Sequence, residues 1–153
     1  MPELECIILI GLPGAGKTTF YREKFATAHI HISKDLWPNA TGRAKRQEKA
    51  MEESLASGKS VVVDNTNPTI AERAAIIGVA RKHGARVIGY FFDISTRAAV
   101  ARNANRAGAG KVPNVAIFTT AKRLQPPAVS EGFDELYRVE IKPDRSLHVT
   151  RVR

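Results

Sequence analysis

A glycine-rich loop between an apolar strand and a helix is the feature that most constrains this chain. Residues 11–18 read GLPGAGKT and follow the apolar run 6–10. The glycines let the backbone curl so that successive N–H groups face one anion, while Lys17 reaches phosphate oxygens and the Thr18 hydroxyl suits Mg²⁺. A helix predicted over residues 17–28 directs its positive end at the same point. The pattern predicts a polyphosphate-binding loop, with contacts from Gly11, Pro13, Gly14, Ala15, Gly16, Lys17, Thr18 and Thr19.

The length of the chain and its lack of long apolar runs limit the kinds of protein it can be. Its 153 residues predict one domain over 1–153 with a core of its own. We expect a cytoplasmic protein, because neither a membrane span nor a signal-peptide pattern is present. Cys6 stands alone in an apolar strand, which predicts a small buried hydrophobe without redox or metal function.

The chain is strongly basic. Its formal net charge is +9 and its isoelectric point is near 10.1. Such a surface attracts phosphate-rich partners over long range, which favours a nucleic acid or a nucleotide substrate. Many basic proteins carry such charge for solubility alone, so the charge by itself leaves a nucleic-acid partner open.

Apolar runs with strand character alternate with helical stretches, and this alternation is typical of repeated βα units. The sequence therefore predicts an α/β fold of the three-layer P-loop type, with a parallel sheet of about five strands between helices. Asn67 and Pro68 suit the start of the third helix, and Gly84 suits its end. The last two predicted strands alternate like edge strands. The predicted strands are 5–10, 29–33, 60–64, 86–92, 137–142 and 146–152, and the predicted helices are 17–28, 40–57, 69–83, 95–106 and 114–124.

Aspartates follow several of the predicted strands, where ligands bind in an open parallel sheet. Asp35 comes after the strand that ends at residue 33, and its carboxylate could take the proton of an attacking hydroxyl. A helix-capping or turn aspartate is the alternative. Asp64 ends an aliphatic strand as a Walker B aspartate does, and could hold a Mg²⁺ water or orient Lys17. A turn residue is the alternative there. Asp93 is a weaker candidate.

A basic helix follows the fourth strand. Arg102 and Arg106 are four residues apart and share one predicted helix face, where their charge could close over the phosphates of ATP. Gly108 and Gly110 would form the hinge of such a lid. A solvated basic face is the alternative.

Histidine and tryptophan residues add weaker signals. The four histidines are scattered, which argues against a histidine metal site. His29 and His31 alternate along one strand and are expected to share a face of the sheet. Trp37 could stack on a base or pack against a helix, and packing is the more common role of a single tryptophan.

Taken together, these segments resemble the kinase domain of polynucleotide kinase 3'-phosphatases and their phage relatives. The resemblance rests on residues 11–20, on Ser33-Lys34-Asp35, on residues 62–68 (VVDNTNP) and on the arginine-rich segment, and it continues through 126–133. It implies that Lys17 and Thr18 contact phosphate and Mg²⁺ and that Asp35 is the base acting on a 5'-hydroxyl. It also implies that Arg106 is the lid arginine on ATP, assisted by Arg102.

The chain departs from that family at two positions near Asp35. Lys34 stands where the family has arginine, and Pro38 stands where the phage enzymes have the arginine that contacts the next substrate phosphate. Arg43 or Arg46 is the candidate replacement. Because no Asp-x-Asp motif of the phosphatase half is present, the resemblance implies a protein that only adds phosphate.

Three functions fit these residues. The leading hypothesis is an ATP-dependent kinase that phosphorylates the 5'-hydroxyl of DNA or RNA, a single-stranded or end-exposed nucleic acid, with ATP and Mg²⁺ as ligands. The second is a P-loop kinase for a small hydroxyl compound such as a sugar, nucleoside or antibiotic. The third is a nucleotide-binding module or weak ATPase in which Asp35 is structural. The oligomeric state is not indicated by the sequence.

Overall fold

The computed structural model describes residues 3–106 and 111–153 and contains one six-stranded sheet. Its order is β2-β3-β1-β4-β5-β6; the first five are parallel and β6 is antiparallel to β5. The predicted parallel sheet is confirmed, with β6 as an additional antiparallel edge. The strands are β1 (Glu5–Ile10), β2 (Ile30–Ile32), β3 (Val61–Asp64), β4 (Arg86–Phe92), β5 (Glu135–Ile141) and β6 (Leu147–Val152).

Helices connect the parallel strands at the predicted places. They are α1 (Lys17–Lys24), α2 (Arg43–Ala56), α3 (Ile70–Lys82), α4 (Thr96–Ala104) and α5 (Asn114–Arg123), with 3₁₀ turns at Lys34–Leu36 and Val129–Glu131. Helix α1 ends four residues before the predicted residue 28. The chain leaves the helix at Phe25 to enter β2, and the Tyr21 hydroxyl donates to the His29 carbonyl at 2.9 Å to close this turn.

Strand β1 forms the centre of the core, and each of its faces packs against a different helical layer. Ile8 and Ile10 point toward α2 and α3, whereas Ile7 and Leu9 point toward Phe20 of α1. Cys6 is buried on the first of these faces, and burial raises the pKa of its thiol to about 12. The cysteine is therefore the buried hydrophobe that the sequence predicts.

The start of α3 differs from the prediction. Thr69, not Asn67, caps the helix, because the Thr69 hydroxyl accepts from the Glu72 N–H at 3.1 Å. Asn67 is buried with a positive φ of 45°, and its side-chain amide donates to the Leu9 carbonyl at 2.7 Å. The predicted stop at Gly84 is confirmed, since this residue has a φ of 70° directly after the helix.

The two C-terminal strands are not both edge strands. β5 pairs with β4 on one side and with β6 on the other, so only β6 lies at that edge. β5 also begins two residues earlier than predicted, at Glu135. The alternating pattern of β5 predicted an edge strand wrongly. Leu136 and Val139 point to opposite helical layers and are both buried, although polar residues separate them in the sequence.

The first and last strands along the chain belong to the same sheet. A single domain over 1–153 stays a prediction. Within residues 3–106 and 111–153, no helix is both long and apolar enough to cross a membrane.

Two glycines provide a matched test of the packing between the sheet and the C-terminal segment. A Cβ at Gly89 on β4 would lie 2.6 Å from Cε1 of Phe133, whereas a Cβ at Gly78 on α3 would meet nothing within 4 Å. We expect Gly89→Ala to lower the free energy of unfolding by about 1–3 kcal/mol through overpacking. Gly78→Ala should raise it by roughly 1 kcal/mol through helix propensity. Urea unfolding followed by circular dichroism measures both, and an unchanged midpoint for Gly89→Ala would contradict this contact.

Candidate active site

The glycine-rich loop lies at the carboxyl end of β1 and leads directly into α1. Gly14 and Gly16 have φ values of 84° and 90°, which favour glycine. A Cβ at Gly14 would lie 3.0 Å from the Ala99 carbonyl oxygen, and one at Gly16 would lie 3.0 Å from Nη2 of Arg102. Gly16 is also the N-cap of α1 and provides no side-chain acceptor, so the first N–H groups of the helix are left for another acceptor.

The other predicted loop contacts differ in exposure. Pro13 is half-buried, and Ala15 is buried against the sheet on the same side as Phe20. Thr19 is exposed on the first turn of α1. The loop backbone is anchored at its start by the Gly11 N–H, which donates to the Thr66 carbonyl at 3.0 Å.

Lys17 is buried beneath this loop. Its ammonium donates to the carbonyl oxygens of Gly11 at 3.0 Å and Leu12 at 2.8 Å. Burial lowers the pKa of Lys17 to about 8; Asp64 opposes this shift, Arg106 adds to it and Asp35 opposes it. The charges of Asp64, Arg106 and Asp35 all act on Lys17, and burial outweighs the two carboxylates.

Thr18 and Asp64 bring a hydroxyl and a carboxylate together beside the loop. The Thr18 hydroxyl donates to Oδ2 of Asp64 at 2.8 Å, and this carboxylate is buried at the end of β3. Nε2 of His31 lies 2.8 Å from the same oxygen, and the His31 ring stacks on Tyr21 with 4.4 Å between ring centroids. A hydroxyl and a carboxylate are ligands that Mg²⁺ prefers, so this pair fits the predicted cation.

Asp35 lies in the 3₁₀ turn that follows β2. Ser33 is the N-cap of this turn, and its hydroxyl accepts from the Asp35 N–H at 3.2 Å. The Asp35 side chain is exposed and makes no hydrogen bond to any residue in 3–106 or 111–153. Ser33 and not Asp35 caps the turn, so the capping alternative is wrong, whereas Asp35 is indeed a turn residue. Its role as a base stays a prediction.

The arginine-bearing segment reaches the glycine-rich loop through Arg102. Nε of Arg102 donates to the Gly14 carbonyl at 2.7 Å, and burial together with the charges of Arg106 and Arg145 lowers its pKa. Helix α4 ends at Ala104, so Arg106 lies beyond the helix and not on its face as predicted. Asn105 is the C-cap residue of α4, and the Arg106 N–H donates to the Asn103 carbonyl at 3.1 Å. The proposed hinge residues Gly108 and Gly110 lie outside the described residues.

Basic side chains from the start of α2 lie beside the turn that carries Asp35. Nη1 of Arg43 is 3.4 Å from the Lys34 carbonyl, whereas Arg46, three residues further along the first turn of α2, is exposed. The first turn of α2 contains no acidic residue, and its N-cap, Gly42, provides no side-chain acceptor. Positive charge at a helix N-terminus is unfavourable unless an anion compensates it.

Other predicted residues lie elsewhere. Asp93 forms an ion pair with Arg138, whose Nε lies 2.7 Å from its Oδ2, and this pair is not part of the site. Trp37 is half-buried. His31 stacks on Tyr21 of α1, and His29, which lies directly before β2, packs edge-on against Phe25 at the end of that helix, so their predicted common face is confirmed.

Sequence reasoning did not identify two residues of the site. His31 was placed on the correct face, but its contact with Asp64 depends on the pairing of β2 with β3. Gln47 carries no sequence signal for the buried bond that it makes with Asn65. Both contacts join segments that are far apart in the chain.

Comparison with known proteins identifies the family. The model of the family described as "AAA domain" matches residues 6–127, which include the loop, Asp35, Asp64 and Arg106. The chain belongs to this family. The AAA domain described here is 30% identical over 142 residues to the bifunctional polynucleotide phosphatase/kinase of Schizosaccharomyces pombe, covering 90% of this chain and 34% of that protein. The predicted resemblance to polynucleotide kinases is thereby confirmed.

Solved structures share the fold of this AAA domain. A gluconokinase from Sinorhizobium meliloti has a TM-score of 0.66 at 20% identity, covering 94% of this chain and 86% of its own. A fungal RNA kinase has a TM-score of 0.71 at 18% identity, covering 95% of this chain and 80% of its own. These structures establish a P-loop kinase fold for the chain.

The chain spans about a third of the length of the curated relative that it matches. The phosphatase part of that relative's name therefore says nothing about this chain. That this protein only adds phosphate stays a prediction.

The charge state of Lys17 provides a direct test of the site. With a pKa lowered to about 8 from 10.5, Lys17 loses its proton in the folded protein at a pH where the unfolded chain retains it. The free energy of unfolding should therefore rise with pH, through this group, between those two values. NMR of ¹³C,¹⁵N-lysine-labelled protein should show one ammonium titrating near 8 that is absent in Lys17→Met. Added ATP should raise its pKa, and a titration near 10.5 without ATP would contradict the burial argument.

Proposed function

We propose that this chain is an ATP-dependent kinase that transfers the γ-phosphate of ATP to the 5'-hydroxyl of a polynucleotide. The observation that carries this proposal is the meeting of three groups at one edge of the sheet: Lys17 buried under the loop, Asp64 at the end of β3 and Asp35 in the turn after the neighbouring strand β2. One carboxylate is tied to Thr18 and the other is exposed without a partner among the described residues. Such a site has a donor side and an acceptor side.

The donor side consists of the loop, Lys17 and Thr18. The unpaired N–H groups at the start of α1 and the Lys17 ammonium would hold the phosphates of ATP, with Lys17 exchanging its bonds to loop carbonyls for bonds to phosphate. Thr18 and Asp64 would hold Mg²⁺, directly or through water. Bound there, Mg²⁺ would neutralise charge that develops on the phosphate oxygens.

The acceptor side is centred on Asp35. Its carboxylate would accept the proton of the 5'-hydroxyl as that oxygen bonds to the γ-phosphorus and the bond to the β–γ bridging oxygen breaks, releasing ADP. Arg106 and Arg102 would stabilise the charge on the transferred group, because guanidinium groups near that group act in this way. The contact of Arg102 with the Gly14 carbonyl already holds this arginine against the loop.

A polynucleotide is favoured as the acceptor by the charge around Asp35. Lys34, Arg43, Lys45 and Arg46 lie on the adjacent turn and the first turn of α2, and no acidic residue occupies that first turn. A substrate with successive phosphates would compensate these charges, whereas a small neutral sugar would not. The relative named as a polynucleotide phosphatase/kinase supports the same choice.

Replacement of Asp35 separates a kinase from a nucleotide-binding module. With γ-labelled ATP, Mg²⁺ and a 5'-hydroxyl oligonucleotide, wild-type protein should transfer label, and Asp35→Asn should lower the transfer rate about a hundredfold or more. Asp93→Asn is the matched control, since it removes a surface carboxylate at another strand end and should change the rate by less than about twofold. An unaffected Asp35→Asn would favour the binding module. Transfer only to a sugar, nucleoside or antibiotic in a parallel acceptor screen would favour the small-molecule kinase.

Arg43 is the better placed of the two candidate replacements for the phosphate-contacting arginine, because it contacts the turn that carries Asp35. Arg43→Ala should raise KM for the oligonucleotide about tenfold. It should also reduce the slope of log kcat/KM against log salt concentration by about one, as expected for one lost phosphate contact. Lys49→Ala, on the same helix but paired with Glu53, is the control and should leave both unchanged. Equal effects of the two substitutions would indicate general charge attraction without a defined contact.

A further inference from the structure

The side chain of Asn65 joins three elements beside the site. It follows Asp64 at the end of β3, and its Oδ1 accepts from the Lys34 N–H at 2.9 Å and from the Ser33 hydroxyl at 3.5 Å. Its Nδ2 donates to Oε1 of Gln47 at 2.6 Å, and Gln47 is buried on α2. β3, the turn with Asp35 and α2 are thus connected through one amide.

The orientation of both amides follows from a single unambiguous donor. The Lys34 backbone N–H can only donate, so Asn65 must direct its oxygen toward it. Nδ2 of Asn65 then faces Gln47, which must present its own oxygen. If the Asn65 amide turned over, two donors would face each other at Lys34 and two acceptors at Gln47. The Lys34 N–H therefore determines which way Asn65 faces, and Gln47 holds the other end of the Asn65 amide from α2.

The amide continues the sheet past its last backbone pair. In the ladder between β2 and β3, Ile32 is opposite Val63, and no further backbone pair follows. The bond from Lys34 to Asn65 lies two residues beyond that pair on both strands. This bond keeps the turn that carries Asp35 next to the end of β3, where backbone pairing between β2 and β3 has stopped.

This connection matters for Asp35 because the Asp35 carboxylate itself makes no hydrogen bond to any of the described residues. Ser33, which also contacts Asn65, accepts from the Asp35 N–H at 3.2 Å. The position of the carboxylate is therefore set by the backbone of its turn. A base must lie within hydrogen-bond reach of the proton that it takes, so a displaced turn costs rate.

We propose that Asn65 and Gln47 are positioning residues that hold Asp35 in place for proton transfer and keep α2, with Arg43, in register with it. This inference rests on the proposed kinase function. Neither residue need touch the substrate. Their effect is on the chemical step through Asp35, whereas ATP binding by the loop, Lys17 and Thr18 does not depend on them.

Isosteric substitutions of Asn65 test this role. Asn65→Leu keeps the size but removes the acceptor for Lys34, and should lower kcat for oligonucleotide phosphorylation about thirtyfold with KM for ATP changed less than about threefold. Asn65→Asp keeps the acceptor, and Gln47 can turn its amide to donate to the new carboxylate. This conservative variant should therefore recover kcat to within about threefold of wild type.

Gln47→Leu is the second variant and tests the contact between Asn65 and α2. It leaves Asn65 intact but removes the acceptor for its Nδ2, so kcat should fall about tenfold. Ser60→Ala is the matched control, because Ser60 lies directly before β3, at the end opposite Asn65, and its hydroxyl accepts from the Glu5 N–H at 2.9 Å. Its kcat should equal that of wild type, and melting temperatures measured for all variants separate positioning from loss of fold.

A structural readout accompanies the kinetics. Hydrogen exchange of the Lys34 amide, measured by NMR, should accelerate in Asn65→Leu and not in Asn65→Asp. Wild-type kcat in Asn65→Leu, or equal losses in the Leu and Asp variants, would overturn the inference while leaving the kinase proposal intact. Absence of transfer by the wild-type protein to any hydroxyl acceptor would instead overturn the proposed function, and the inference with it.

Discussion

The parallel pairing of β1 with β3 is the interaction on which the rest of the structure depends. Cys6 to Leu9 pair with Val61 to Asp64, and both strands are buried between two helical layers. Because parallel strands end at the same edge, this register brings the glycine-rich loop beside Asp64. The Thr18–Asp64 bond and the burial of Lys17 are consequences of that register.

The segment after β3 makes that edge rigid. Asn67 occupies an unfavourable left-handed conformation. The hydrogen bond from its side-chain amide to the Leu9 carbonyl compensates for this cost in the core. Its own carbonyl accepts from Arg73 at 3.0 Å, and the buried Arg73 guanidinium also contacts Glu131 and the Gln125 carbonyl. Arg73 thereby connects the segment after β3, the residues that follow α5 and the 3₁₀ turn before β5. Such a buried arginine is costly unless every donor has a partner, which explains the number of its acceptors.

Charge at the site is arranged for a ligand that carries negative charge. Lys17 is buried with a depressed pKa, Arg102 lies against the loop with a lowered pKa, and the start of α2 combines basic residues with an uncapped N-terminus. Each of these features is unfavourable in the protein alone. A polyphosphate on one side and a phosphate-bearing strand on the other would relieve them, which links the stability of the site to its ligands.

The sequence by itself determined the loop, the order of strands and helices, and the candidates Asp35, Asp64 and Arg102, because these follow from local patterns: glycines at tight turns, apolar periodicity and polar residues at strand ends. It misplaced the role of Asn67 and extended α4 to Arg106, where capping signals were ambiguous. Only the tertiary structure decided the bonds of His31 to Asp64 and of Gln47 to Asn65. Those contacts depend on which strands become neighbours and how a helix docks on them, and that choice is made by packing over distances in the chain that no local pattern spans.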